Sequence, residues 1–464
     1  MGYALRRGGV VGSFVPLANR WNRCGKTRSE TGRPPPGSSR KTAPKRGVSF
    51  PLAVRRTRFG AIPPRPSGPS PGRLRNSRCR GRLAMTRSPT YAIVIENLPG
   101  IAAAYSEGVA GRVLGEVWRR FEEVLGTQSW TSVPEPWGVR VTYSGTNRSG
   151  LDLRELEAAI QAATRELIFN GSSIIVVSLT IRSGENIGSM APPLHVDTTQ
   201  FRLDMAAASM AYDALNVGEL NFARQPVVGR EEGGFALYHE CLCRLSGADG
   251  SVFMPAVYLG ALERLRLTRA FDWSVARSVI TMLRREPEAV LGCNISGLSV
   301  ANDVWWCSVL DELRRSPDIA SRLVVEVTET ALPQDTGSAL EFIRALQATG
   351  CRIALDDFGG GLSTIAFARA AKADIVKVDG SLVRQCLAGS EGDRLLHHVV
   401  SLAGDFAADV VVEGIESAAD LDIAQDAGAR WFQGYYFRSL SVPATPPRPS
   451  PFPPRALEGF GVMQ

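Results

Sequence analysis

The chain has 464 residues, 44% of them hydrophobic, and its formal charge of +7 averages two unlike regions. Residues 1–84 hold 20 of the 53 Lys and Arg but one of the 46 acids, Glu30, so the remainder sets 33 bases against 45 acids. The length exceeds one ordinary domain, the acidic body would repel nucleic acid, and no apolar run approaches the roughly 18 residues of a membrane span. Eight cysteines, several of them inside apolar runs like Cys293 and Cys351, form no CxxC pair. They read as reduced thiols of a cytoplasmic protein, not as a disulfide framework.

Residues 1–84 are rich in Pro, Gly, Arg and Ser and carry too few periodic apolar residues to bury, so disorder is expected. Arg6-Arg7 precedes an apolar run that is short and broken by Gly and Pro, which argues against a twin-arginine signal. The segment is either a basic arm for nucleic acid or anionic lipid, or a non-functional extension ahead of a start at Met85; the second is preferred. Residues 88–186 read as an α/β unit. A strand at 91–96 leads to a helix at 106–125 with Val109, Val113, Val117 and Phe121 at helical spacing. Strands at 129–133 and 138–143 flank the turn Pro134-Glu-Pro-Trp137, and a helix at 151–169 and a strand at 173–181 follow. This β-α-β-β-α-β order predicts a ferredoxin-like α+β domain.

A linker at 187–216 contains a predicted helix at 196–215. From 217 to 445, β-rich runs at 222–228, 235–245, 290–296, 322–330, 351–358, 374–379, 409–416 and 431–437 alternate with helical patterns. Those patterns lie at 255–267, 271–284, 301–315, 338–350, 393–406 and 417–428. Strands separated mainly by helices over this length predict a (β/α)8, TIM-like barrel, and residues 446–464 a disordered tail.

In such a barrel the chemistry sits where strands end. Polar residues there form a coherent set: Glu240, Asn294, Glu326, Asp356 and Asp357 ahead of Phe358-Gly-Gly-Gly361, Lys377, Glu413 and Gln433. Five acids converging on one rim would raise one another's pKa values and destabilise the fold unless cations compensate them. All-oxygen ligation by Asp, Glu and an Asn carbonyl suits Mg²⁺ or Mn²⁺, and adjacent aspartates allow one to bridge two ions, the usual clamp on a phosphodiester.

At these positions the second half of the chain resembles the EAL phosphodiesterase family. The resemblance implies hydrolysis of cyclic di-GMP to pGpG, with two Mg²⁺ or Mn²⁺ held by Glu240, Asn294, Glu326, Asp356, Asp357 and Glu413. Lys377, Glu413 and Glu240 become the catalytic set, with Lys377 orienting or helping to deprotonate the attacking water. Gln433 is implied to hold the site's network beside the substrate, Arg244 to bind a phosphate, and Gln225 to lie near a guanine. Glu329 is implied to fix the 357–364 loop, which couples metal binding to contacts in an EAL-domain homodimer. Cys241 replaces the signature alanine, and the loop Phe358-Gly-Gly-Gly-Leu-Ser-Thr364 has an extra glycine. Leu262-Glu263 and the segment Arg438-Ser-Leu-Ser-Val-Pro443 depart from the family pattern without removing an expected ligand.

The unit at 88–186 resembles a GGDEF domain in element order and in its hairpin, but Pro134-Glu-Pro-Trp-Gly138 stands where the signature belongs. Only Glu135 and Gly138 remain of the acids and glycines a cyclase needs, so a structural or regulatory role is expected. The rival to an active phosphodiesterase is a weak or inactive cyclic di-GMP receptor that signals through protein partners. A nucleic-acid adaptor acting through the basic arm is a third reading.

Overall fold

In the first unit, strand β1 (Thr90–Ile95) leads into the short helix α1 (Leu98–Ala104), which the periodicity did not predict. Helix α2 (Glu107–Leu125) starts where the Ser106 hydroxyl accepts from the Val109 amide, and it buries Val109, Val113, Val117 and Phe121 as their spacing predicts. Strands β2 (Trp130–Glu135) and β3 (Gly138–Tyr143), helix α3 (Leu153–Arg165), strands β4 (Ile168–Asn170) and β5 (Ser173–Ile175), and strand β6 (Leu179–Ser183) follow. The main sheet runs β2-β3-β1-β6, antiparallel throughout, which is the ferredoxin-like order.

The strand predicted at 173–181 is two strands, because Asn97 intervenes. Its amide donates to the Val176 carbonyl at 2.8 Å and its oxygen accepts from the Ser178 amide at 3.1 Å. With those backbone groups taken, the chain breaks, β5 pairs with β4 in a separate hairpin, and only β6 joins the sheet. The same hairpin ends the helix predicted at 151–169 at Arg165.

The computed structural model describes residues 90–126, 130–143, 153–171, 173–183, 196–218, 220–230, 236–246, 252–328, 335–360, 365–387 and 390–440. The basic arm, the tail, Glu329 and the 361–364 part of the glycine loop lie outside them. Helix α4 (Thr198–Val217) is the predicted connector; Asp197 caps it and Gly218 ends it in the left-handed conformation.

The barrel strands are β7 (Leu220–Gly229), β8 (Ala236–Ser246), β10 (Leu291–Ser296), β11 (Leu323–Thr328), β12 (Arg352–Phe358), β13 (Ile375–Val378), β14 (Asp409–Val412) and β15 (Trp431–Phe432), with β9 (Val252–Phe253) as a spur on β8. Pairing of β8 with β10 and of β15 with β7 closes the ring. Around it lie α5 (Pro255–Arg264), α6 (Thr268–Arg285), α7 (Cys307–Arg315), α8 (Pro317–Ala320), α9 (Thr336–Gln347), α10 (Ile365–Ala371), α11 (Ser381–Leu387), α12 (Ser390–Gly404) and α13 (Ala418–Asp426). The expected barrel therefore forms, with one change from the all-parallel pattern. Strand β7 runs antiparallel to both neighbours, because the 230–235 link can make a hairpin but cannot hold a crossover helix. An apolar layer of Val227, Tyr238, Val324, Ala354, Ile375 and Val411 fills the interior.

The two units share a packed, polar-stitched junction. Glu157 on α3 accepts from the Ser308 amide at 2.8 Å near the start of α7 and from the Trp273 indole at 3.2 Å. Arg264 on α5 pairs with Asp204 on α4 at 2.7 Å, and the Trp305 indole donates to the Leu179 carbonyl at 3.1 Å.

Candidate active site

Side chains alternate along a strand, and in this ring the alternation sends Glu240 of β8, Glu326 of β11, Asp356 of β12 and Lys377 of β13 to the interior. Register sets Glu240 beside Gly292, Asn294 beside Glu326, and Glu326 beside Ala354. Lys377 on β13 reaches the middle of the group and is fully buried. Its Nζ lies 2.7 Å from Glu326, 2.8 Å from Glu413, 3.1 Å from Asp356 and 3.2 Å from Glu240. The predicted cluster is therefore one contact network built around a lysine.

Regular alternation would send Asp356 and Asp357 to opposite faces. Strand β12 escapes this through a register shift between Leu355 and Phe358, where Asp357 adopts the left-handed region with φ of 56°. That conformation costs about 1–2 kcal/mol in a residue with a Cβ. It lets oxygens of Asp356, Asp357 and Glu413 lie within 4.8 Å of one another, as do oxygens of Glu240, Glu326 and Asp356. Asp356 belongs to both triads. At the neighbouring loops, Gly414 has a φ of 69°, and a Cβ there would meet the Gly380 Cα at 2.9 Å, so the backbones carrying the rim can touch.

Around the acids, Asn294 donates from Nδ2 to Glu240 at 2.6 Å, and Gln433 donates to Glu240 and, at 3.3 Å, to Gln225. The Tyr238 hydroxyl donates to Glu326 Oε2 at 3.1 Å. Asn294 Oδ1, Glu326 Oε1 and Gln433 Oε1 are buried acceptors without a hydrogen-bond donor among the described residues. Bare buried oxygens beside packed carboxylates are what a hard divalent cation would satisfy, and the donor set contains no soft ligand, so the residues fit such an ion.

The electrostatics agree. Burial, aided by Glu240 nearby, pushes Glu326 up to about 8, and burial with Asp356 beside it pushes Asp357 up to about 6. Burial raises Asp356, and burial followed by the charge of Asp356 raises Glu413 well above the carboxylate range. For Lys377, burial opposes the charge, but Asp356, Glu240, Glu326 and Glu413 outweigh it and hold the ammonium well above its ordinary value. Glu240 is the exception among the acids: burial pushes it up, yet Lys377 and the bonds from Gln433 and Asn294 overcome that and hold it low.

Eight predicted positions thus meet: Glu240, Asn294, Glu326, Asp356, Asp357, Lys377, Glu413 and Gln433, with Gln225 joined through Gln433. Arg244 is not among them, and its guanidinium donates to the Cys243 carbonyl at 2.9 Å. Glu329 lies outside the described residues. Tyr238 was missed, because an aromatic residue at a strand's inward position carries the same pattern as ordinary core.

The fold and site define the class, a closed barrel whose interior gathers carboxylates around one buried lysine, and comparison with known proteins gives the family. The EAL domain profile matches residues 208–439, half of the chain, and the chain belongs to the EAL domain family. Among curated proteins, a probable cyclic di-GMP phosphodiesterase, PdeG of Escherichia coli (strain K12), is 31% identical over 233 residues, covering 48% of this chain and 45% of that protein. The cyclic di-GMP phosphodiesterase PdeB of Shewanella oneidensis is 26% identical over 227 residues, covering 48% of this chain and 26% of its own length. The chain thus spans less than half the length of these relatives. Among solved structures, the FimX EAL domain from Pseudomonas aeruginosa bound to c-di-GMP is 25% identical with a TM-score of 0.42, covering 50% of this chain and 95% of that one. No helix among the described residues is long and apolar enough to cross a membrane.

Proposed function

We propose that this chain is a cytoplasmic cyclic di-GMP phosphodiesterase that opens its substrate to linear pGpG. The observation that carries this reading is the Lys377-centred cluster, in which Asp356 is common to two oxygen triads. Glu240, Glu326, Asp356, Asp357, Glu413 and the Asn294 carbonyl would hold two Mg²⁺ or Mn²⁺. When bound, such ions supply Lewis-acid activation of water and stabilise charge developing on phosphorus.

The chain's own residues do the rest. Lys377, kept charged by its acidic neighbours, donates to the attacking water and aligns it. Its charge also favours the negative character that the phosphodiester gains as it is attacked. Glu240 remains ionised and anchors Asn294, Gln433 and Lys377 in one geometry. Gln225 and Gln433 face the guanine side, and Arg244 supplies a guanidinium fork for a phosphate once it turns from the Cys243 carbonyl. The barrel works as a homodimer, the assembly in which the family resemblance gives Glu329 its role. The unit at 88–186 is a degenerate GGDEF domain with a regulatory task, a reading supported by its turn, where Glu135 is occupied by Arg140 at 2.6 Å.

The full chain incubated with Mn²⁺ and cyclic di-GMP should release pGpG, and Glu240→Ala should lower turnover by at least about 10³-fold. A wild-type chain that binds the dinucleotide but releases no product with Mn²⁺ or Mg²⁺ would overturn the phosphodiesterase reading in favour of a receptor.

A further inference from the structure

The two oxygens of Glu326 are treated differently by the protein. Oε2 accepts from Lys377 at 2.7 Å and from the Tyr238 hydroxyl at 3.1 Å, whereas Oε1 is buried with no donor among the described residues. Tyr238 is fully buried in the apolar layer of the barrel, so its ring is held and its hydroxyl has a single direction.

Room for this arrangement comes from β10. A Cβ at Gly292 would lie 2.2 Å from Glu326 Oε1 and 2.7 Å from the Tyr238 ring. Any side chain there would displace both, although the strand itself needs no glycine: Gly292 is not among the positive-φ residues. The glycine is explained by the space it leaves, and Tyr238 and Gly292 form a matched pair around one carboxylate.

We propose that Tyr238 is a positioning residue that acts through Glu326: its hydroxyl bonds Oε2 from the interior side and fixes the orientation of the carboxylate, so the Tyr238–Gly292 pair sets the cation affinity of the site. This rests on the metal-dependent reading above. Tyr238 contacts no reacting atom and belongs to the shell that orients a ligand. Partners of this kind typically change metal affinity by about 10–100-fold when removed.

The test is Tyr238→Phe in the full chain, which keeps the ring and deletes only the hydroxyl. Mn²⁺ alone is titrated calorimetrically or by electron paramagnetic resonance, without substrate. The Mn²⁺ Kd should rise at least about 10-fold. Gly292→Ala, which pushes on the same carboxylate, should weaken Mn²⁺ in the same direction. If Tyr238→Phe binds Mn²⁺ within twofold of a wild type that does bind it, the positioning role is overturned and the phosphodiesterase reading stands. If wild type itself binds no Mn²⁺, both fall.

Discussion

The four-stranded sheet and the barrel spend their buried positions differently. In the sheet, the core-facing residues of β1 and β3 are Ile93, Ile95, Val139 and Val141. The chain's turn chemistry there is reduced to one ion pair, Glu135 with Arg140. In the barrel, Glu240, Glu326, Asp356 and Lys377 are buried together, with Glu413 bonded to the same lysine. An interior of Ile and Val is stable by burial alone, at about 25 cal/mol per Å². A group of acids around one ammonium is stable only while the countercharge stays in place. The sheet is thus an apolar scaffold, and the barrel centre is an electrostatically frustrated cluster.

The largest expected effect breaks that contrast at its centre. Lys377→Met leaves the surrounding carboxylates without their countercharge, and in EDTA it should destabilise the chain by about 3–5 kcal/mol in urea unfolding. Saturating Mn²⁺ should restore part of the loss. Equal stability of variant and wild type in EDTA would mean that the lysine does not hold the acids together.

The junction between the two regions ranks next. Glu157→Ala removes the acceptor for the Ser308 amide and the Trp273 indole, leaving two partly buried donors unpaired, at about 1–3 kcal/mol. Hydrogen exchange should quicken in the first turn of α7 before it does in the barrel strands. Uniform exchange across both units would argue against a localised latch.

A third prediction concerns pH. Asp272 on α6 is buried, accepts from the Ser296 amide at 3.0 Å, and is pushed up to about 7 by burial. Its folded pKa is raised above the unfolded value of 3.8, so the native state holds the proton more tightly. Protonated Asp272 favours folding, and that contribution falls as pH rises from the unfolded value through about 7. Between pH 5.5 and 7.5 this amounts to about 1–2 kcal/mol. Asp272→Asn should flatten that part of the stability profile in parallel denaturant titrations. A variant that keeps the full wild-type slope would assign it to other groups.

The smallest effect lies back in the sheet. Glu135→Gln should change stability by no more than about 0.5 kcal/mol and leave Mn²⁺-dependent turnover unchanged, because its partner is a half-exposed arginine. A marked loss of turnover would give the hairpin a role that its residues do not suggest.

Much of this was legible in the amino acids. Alternating strand and helix patterns predicted the barrel, and strand-ending acids are rare because they are expensive, so Glu240, Glu326, Asp356 and Glu413 stood out in order. Helical spacing likewise located Val109, Val113, Val117 and Phe121 on one buried stripe. Such features are local: period and composition carry them, and any fold consistent with the chain must respect them.

Tertiary structure decided what depends on partners distant in sequence. Asn97 split the strand predicted at 173–181 by bonding to residues about eighty positions away. A bulge turned Asp357 to the same side as Asp356, and Gly292 made space for a tyrosine and a carboxylate from two other strands. Each is a competition for one hydrogen-bond partner or one volume, and its outcome is set by which groups the closed barrel brings within a few ångströms. The residue types determined that carboxylates would crowd this rim; packing determined which of their oxygens the lysine and its neighbours bond and which are left without a donor among the described residues.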